Sequence, residues 1–140
     1  MWKKEELNNM KVLVTGVKGQ LGYDIVKECE KRGIGAVGVD IEEMDITSPA
    51  QVEEVIKEAQ VDAVIHCAAW TAVDRAEDEI EICRKVNKDG PANIAKVCEE
   101  LDIPMMYFST DYVFNGLGEE PWMEYGEREP LNVYGQTKYE

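Results

Sequence analysis

Tyr134 and Lys138 stand four residues apart in the closing stretch NVYGQTKYE. On a helix, that spacing stacks two side chains on one face. A phenol ionises unaided only near pH 10. A neighbouring ammonium stabilises the phenolate left behind when the phenol gives up its proton. Ser109-Thr110-Asp111 closes an apolar run that starts at Pro104, and a hydroxyl at Thr110 could hold a substrate oxygen. Such a trio suits delivery of a proton to a carbonyl oxygen while a hydride reaches its carbon. Spacing alone is weak support. Chance gives about half a Tyr-x-x-x-Lys match in a chain of this composition, and Tyr23 with Lys27 forms a second on what reads as ordinary helix surface.

A hydride needs a carrier, and one segment has the chemistry to hold it. Gly16-Val17-Lys18-Gly19-Gln20-Leu21-Gly22 follows the apolar run KVLVT and opens a helical pattern. Gly16 permits a tight turn, Gly19 lets backbone approach a pyrophosphate, and Gly22 allows close packing of helix on strand. The helix N-terminus adds free amides and partial positive charge. Asp40, eighteen positions after Gly22, ends a second apolar run, where an acid can meet an adenosine ribose. A literal G-x-G-x-x-G also occurs at Gly33–Gly38, but it enters a strand instead of leaving one, so it reads as a loop and small strand residues.

The elements that must position these residues follow from periodicity. Lys11–Thr15, Ile34–Asp40, Asp62–Cys67 and Pro104–Ser109 are short apolar runs of the kind buried in parallel sheets. Between them lie helical patterns at about 21–31, from Ser48 onward, and at 74–101. Ser48-Pro49-Ala50-Gln51 predicts a capping box. Gly90-Pro91 predicts a kink or break. Residues 111–131 read as a long functional loop, and 132–140 as the start of another helix. The alternation predicts an α/β fold, a Rossmann-like doubly wound parallel sheet in strand order 3-2-1-4. Residues 1–10 read as a polar lead-in and 11–140 as an NAD(P)-binding domain.

Composition narrows the function. A net charge of -14 repels phosphate backbones, so nucleic acid is not an expected partner. No run approaches the roughly 18 apolar residues of a membrane span. Cys29, Cys67, Cys83 and Cys98 form no C-x-x-C pair, and His66 and Cys67 point to opposite faces of a strand, so no metal site is expected. Unpaired thiols suit a reducing, cytoplasmic setting.

With these residues in hand, the chain resembles the extended short-chain dehydrogenase/reductases, and among them the dTDP-4-dehydrorhamnose reductases. The matching stretches are VTGVKGQLGYDI, VDIEEMDIT, HCAAWTAVDRAE, KVNKDGPANIA, FSTDYVFNG and NVYGQTKYE. The resemblance implies that Gly16, Gly19, Gln20, Leu21 and Gly22 hold cofactor phosphates and that Asp40 meets the ribose. It implies that Asp45 and Ile46 flank the adenine, and that Ala68, Ala69 and Trp70 line the cofactor's far half. Thr110, Tyr134 and Lys138 become the catalytic trio, with Tyr134 the acid and both Tyr134 and Lys138 also touching the cofactor. Val73, Asp74, Thr110 and Asp111 become contacts to the nucleotide-sugar substrate, and Asn87 a supporting helix residue. The implied reaction is reduction of the 4-keto group of dTDP-4-dehydro-L-rhamnose by NADPH or NADH. Asp40 disfavours a 2′-phosphate and Lys18 softens that preference, so the two carriers stay open.

Family members are about twice this length. The chain is therefore expected to be the N-terminal part of a reductase, lacking the C-terminal substrate domain. Strand 104–109 is then an exposed edge, from which self-association or a homo-oligomer is expected, together with weak dinucleotide binding and little activity from this chain alone. Two other readings share the pattern: a non-catalytic nucleotide-binding regulatory subunit, like that of methionine adenosyltransferase, and a sugar-nucleotide epimerase or dehydratase.

Overall fold

The computed structural model describes residues 9–140, so most of the expected lead-in lies outside the described residues. In chain order the elements are β1 (Lys11–Thr15), α1 (Gln20–Arg32), β2 (Gly35–Val39), α2 (Pro49–Ala59), β3 (Ala63–His66), α3 (Val73–Asp78), α4 (Ile80–Arg84), α5 (Gly90–Leu101), β4 (Met105–Tyr107) and α6 (Val133–Tyr139). A π-helical turn, Lys85–Asp89, joins α4 to α5, and a 3-10 turn spans Asp111–Val113.

All strand pairs are parallel, and the Rossmann-like layering is as the alternation predicts. The strand order is 2-1-3-4, which corrects the expected 3-2-1-4. The cause is which face each helix covers. α1 packs Ile25, Val26 and Cys29 on the Val12–Val14 face, while α2 packs Val52 and Ile56 on the opposite face with Leu13 and Val64. A right-handed crossover that changes face also changes direction. β3 therefore returns past β1 to its far side, and the winding reverses between β1 and β3. Each fully buried Val, Leu or Ile in these two layers contributes about 1.5–3 kcal/mol of burial.

Local signals set the element ends. Gly33, at φ 72, closes α1: its N–H reaches the Glu30 carbonyl, and the Ile34 N–H reaches that of Cys29. The first glycine of the misplaced G-x-G-x-x-G is thus a helix stop, and Gly35 and Gly38 lie inside β2. Ser48 caps α2 through the Gln51 amide, but the Gln51 side chain accepts from the Asp45 N–H, so only half of the expected capping box forms. Gly90-Pro91 does not break its helix. The wider turn through Lys85–Asp89 absorbs the missing proline amide. Gly90 is small because Ile46 lies over it: a β-carbon there would be 2.6 Å from Ile46 Cδ1.

Candidate active site

The parallel register puts Thr15, His66 and Tyr107 in one row, since Thr15 pairs with His66 and His66 with Tyr107. Beyond the carboxyl ends of β1 and β3, where the winding reverses, lies a cleft of about 1060 Å³. Open α/β sheets bind ligands at this position. Its walls include Gly16, Gly19, Gln20, Leu21 and Gly22 from the first turn, then Asp40, Asp45 and Ile46 after β2. Ala68 and Ala69 follow β3, and Tyr134 and Lys138 come from α6.

The glycine turn is built for close approach. Gly16 sits at φ 68, and a β-carbon on it would lie 2.7 Å from the Ala68 nitrogen; one on Gly22 would lie 2.3 Å from the Gly16 carbonyl oxygen. Gly19 caps α1 with no side chain, and no acid stands in the first helical turn, so the first amides stay open to an external anion. Asp40 is held at the rim: Oδ2 accepts from the Lys18 N–H at 2.9 Å and Oδ1 from the Ile41 N–H at 2.9 Å. The Lys18 ammonium pairs with Glu42 at 2.6 Å. Asp45 accepts from the N–H and hydroxyl of Thr47, a turn arrangement that presents the buried Ile46 toward α5. Donor-rich amides, a cradle too narrow for side chains and a rim carboxylate fit a dinucleotide.

At the other end, Asn132 caps α6 by accepting from the Gly135 N–H at 2.7 Å. Tyr134 is 9% exposed, packs against Ala76 and Cys83, and meets the Tyr112 ring edge-on at 5.5 Å. The Lys138 ammonium lies 4.2 Å from the centre of the Tyr107 ring, whose hydroxyl donates to the Lys138 carbonyl. Burial pulls the Lys138 amine down to about 8 and pushes the Tyr107 phenol up to about 12, the nearby Tyr134 adding to the latter. Arg84, at 2.9 Å, and Lys88, at 3.3 Å, hold Glu140 and so pin the end of α6; the Arg84 guanidinium keeps that carboxyl at about 2.

The buried Asn87, in the π-helical turn, ties this helix to the loop after β3. Its Oδ1 accepts from the Trp70 N–H at 2.8 Å, and its Nδ2 donates to the Trp70 carbonyl at 3.0 Å and to Thr137 Oγ1 at 3.2 Å.

Several expected residues stand off the cleft wall. Trp70, Val73 and Asp74 lie at or beside α3, with Trp70 packed behind Tyr134. Thr110 caps the 3-10 turn, accepting from the Tyr112 N–H and donating to Asp111 Oδ1 at 3.1 Å; the neighbouring Ser109 and Phe108 line the cleft instead. Sequence reasoning passed over Thr15, His66, Thr71 and Val86, which also line it. The only signal for the first two was their place at the ends of paired strands. No group of acidic, Cys and His residues able to hold a metal occurs among the described residues, and none of their helices is long and apolar enough to cross a membrane.

The family model described as the RmlD substrate binding domain matches residues 10–140. A dTDP-4-dehydrorhamnose reductase from Streptomyces griseus is 39% identical over 126 residues, covering 90% of this chain and 41% of that protein. The crystal structure of a dTDP-4-dehydrorhamnose reductase from Clostridium acetobutylicum matches with a TM-score of 0.89 at 38% identity, over 93% of this chain and 46% of that one. That of a dTDP-4-dehydrorhamnose reductase from Bacillus anthracis in complex with NADP gives 0.89 at 36%, with the same coverage. The chain thus spans less than half the length of these relatives.

Proposed function

The chain belongs to the RmlD substrate binding domain family, and from that premise we propose that it is the dinucleotide-binding part of an NAD(P)H-dependent reductase. Its substrate in this reading is dTDP-4-dehydro-L-rhamnose, whose 4-keto group becomes the alcohol of dTDP-L-rhamnose in the cytoplasm. The observation that carries the reading is the single cleft lined by Gly16–Gly22, Asp40, Tyr134 and Lys138 together. Residues 11–140 form the dinucleotide-binding domain, and the greater length of the relatives leaves room for a second domain that grips the sugar nucleotide.

A bound nicotinamide supplies the hydride. The chain's own residues do the rest. Gly16 and Gly19 shape the turn, the Gly19 N–H closing it on the Gly16 carbonyl, and the amides of Gln20, Leu21 and Gly22 hold phosphate oxygens at the N-terminus of α1. Asp40 accepts from ribose hydroxyls, Asp45 and Ile46 flank the adenine, and Ala68, Ala69 and Trp70 shape the far half of the site. Tyr134 gives its proton to the forming alkoxide, and Thr110 orients that oxygen. Lys138 stabilises the phenolate and, with an amine held near 8, exchanges protons close to neutral pH. Val73, Asp74 and Asp111 contact the sugar nucleotide. The unpaired outer edge of β4, with Met106 55% exposed, is a surface for self-association.

The test is titration of this chain with NADPH and NADH, followed by cofactor fluorescence, then turnover of the keto sugar. Saturable but weak binding and little turnover are expected from this chain alone; in the reductase that carries the second domain, Tyr134→Phe is expected to lower turnover by about 10²–10⁴-fold. Absence of binding by either dinucleotide would sink the reading. Sedimentation of Met106→Lys, expected to be less associated than the unaltered chain, checks the edge.

A further inference from the structure

Asp40 follows β2 at the cleft rim with both carboxylate oxygens already engaged: Oδ2 accepts from the Lys18 N–H and Oδ1 from the Ile41 N–H, each at 2.9 Å. A carboxylate has about four lone-pair sites, which leaves about two for the hydroxyls of a ribose. A ribose carrying a 2′-phosphate has one hydroxyl fewer and brings about −1.5 to −2 charges at pH 7. It requires cations or free donors beside the acid. The fold does not choose between the two carriers; the side chains at this rim do.

The backbone donors here are spent on carboxylates. The Lys18 and Ile41 N–H groups go to Asp40, and the Asp40 N–H goes to Glu43 Oε2 at 2.9 Å. What remains is the Lys18 side chain, which lines the cleft. Its ammonium meets Glu42 Oε1 at 2.6 Å. The bond to Glu42 raises the Lys18 amine, with Glu43 and Asp40 adding to it, and the same bond lowers the Glu42 carboxyl. Both partners are therefore charged at neutral pH and cancel each other, and Asp40 and Glu43 set the sign of the rim. The other lysines on the cleft wall, Lys85 and Lys138, are carried by the π-helical turn and by α6. No arginine lines the cleft among the described residues.

We propose that Glu42 is a specificity-determining residue: by holding the Lys18 ammonium it keeps the rim negative, so the site prefers NADH to NADPH. This rests on the dinucleotide reading of the cleft given above. It replaces the expectation that Lys18 softens the preference of Asp40, because a lysine already paired with a carboxylate brings no net charge to a phosphate.

The experiment is titration of this chain with NADH and NADPH, followed by cofactor fluorescence, beside Glu42→Gln and Glu58→Gln. Glu58 lies in the last turn of α2, whose Ala59 carbonyl accepts from Lys11 at the start of β1, the end of the sheet away from the cleft. Both variants remove one negative charge, but only Glu42→Gln frees Lys18. At roughly 0.05 M salt the unaltered chain is expected to bind NADH at least about fivefold tighter than NADPH. Glu42→Gln is expected to narrow that ratio about fivefold by tightening NADPH alone, and Glu58→Gln to leave it in place. Raising the salt to about 0.5 M should shrink the ratio in the unaltered chain. Equal affinities in the unaltered chain, a ratio that Glu42→Gln does not move, equal shifts in both variants, or a ratio indifferent to salt would overturn the proposal while leaving the cleft a dinucleotide site. Binding of neither carrier would overturn both. A second measurement needs no dinucleotide: NMR of the ¹⁵N-lysine-labelled chain should show the Lys18 amine titrating at lower pH in Glu42→Gln than in the unaltered chain. An unmoved Lys18 would mean that Glu42 does not hold it in solution, and would overturn the role.

Discussion

The backbone of Gly135 lies against the carbonyl of Tyr112 so closely that a β-carbon on Gly135 would be 2.2 Å from that oxygen. Through this contact the 3-10 turn after β4 locates the first turn of α6. Tyr134 and Tyr112 meet edge-on beside it. Gly135→Ala must therefore push helix and turn apart. The expected result is a loss of about 1–3 kcal/mol of stability, with turnover falling at least about tenfold while dinucleotide affinity changes less. Urea unfolding and steady-state kinetics check it; equal losses in affinity and turnover would mean that α6 does not act separately from the glycine turn.

The two glycine sets make a paired test. Gly22→Ala drives a β-carbon into the Gly16 carbonyl, whereas the nearest atom to a β-carbon on Gly35 is the flexible Lys11 Cγ at 3.4 Å. NADPH affinity is expected to fall more than about tenfold in Gly22→Ala and to stay unchanged in Gly35→Ala, as measured by cofactor fluorescence. Comparable losses in both would mean the turn after β1 has no special place in binding.

What could be seen in the chain and what could not divide along range. The strand, glycine turn, helix and acid from Lys11 to Asp40 are successive in sequence, and Gly16, Gly19, Gly22 and Asp40 line one cleft. The position of β3 was not legible, because it depends on which sheet face the α2 stripe of Val52 and Ile56 selects. Nor was the weight of His66 legible: its meaning lies in a hydroxyl 51 residues earlier, brought beside it only by parallel register. That Ser109 lines the cleft while Thr110 caps the turn beside it was not legible either, since it depends on where β4 ends. Gly90-Pro91 misled because a π-helical turn can absorb a proline that an α-helix cannot.

Burial of His66 makes stability depend on pH in a defined window. The folded ring protonates only at about 4, against 6.5 for the ordinary group. Its contribution is therefore present above pH 6.5 and is lost as pH falls toward 4, where the unfolded chain binds the proton that the folded chain refuses. The full loss is on the order of 3 kcal/mol. Glu28, Glu42, Glu53 and Glu140 are all held below the usual carboxylate range by cationic partners, so their contributions fade only below about pH 4.5. Between about pH 4.5 and 6.5 the slope belongs to histidine. Urea unfolding across that interval should show stability rising with pH, and His66→Gln should flatten the rise; a flat profile in the unaltered chain would contradict the buried neutral ring.

Asn87 joins two parts of the site: the backbone of Trp70 after β3, and Thr137, one turn along α6 from Tyr134. Asn87→Ala leaves the half-buried Trp70 amide and carbonyl without their partner, a cost of at most about 1–3 kcal/mol for each group left unpaired. Asn87→Asp is expected to be worse despite its similar shape, because an oxygen then faces the Trp70 carbonyl and Thr137 Oγ1, where a donor is required. Lys88→Ala, one residue on, removes only an exposed ion pair with Glu140 and should cost less than about 1 kcal/mol. In the proposed reductase, both Asn87 variants should weaken dinucleotide binding and turnover together, since Trp70 belongs to the cofactor side and Thr137 to the helix bearing Tyr134 and Lys138. A variant that loses turnover while keeping full dinucleotide affinity would show that Asn87 serves α6 alone, and that the loop after β3 holds its place without it.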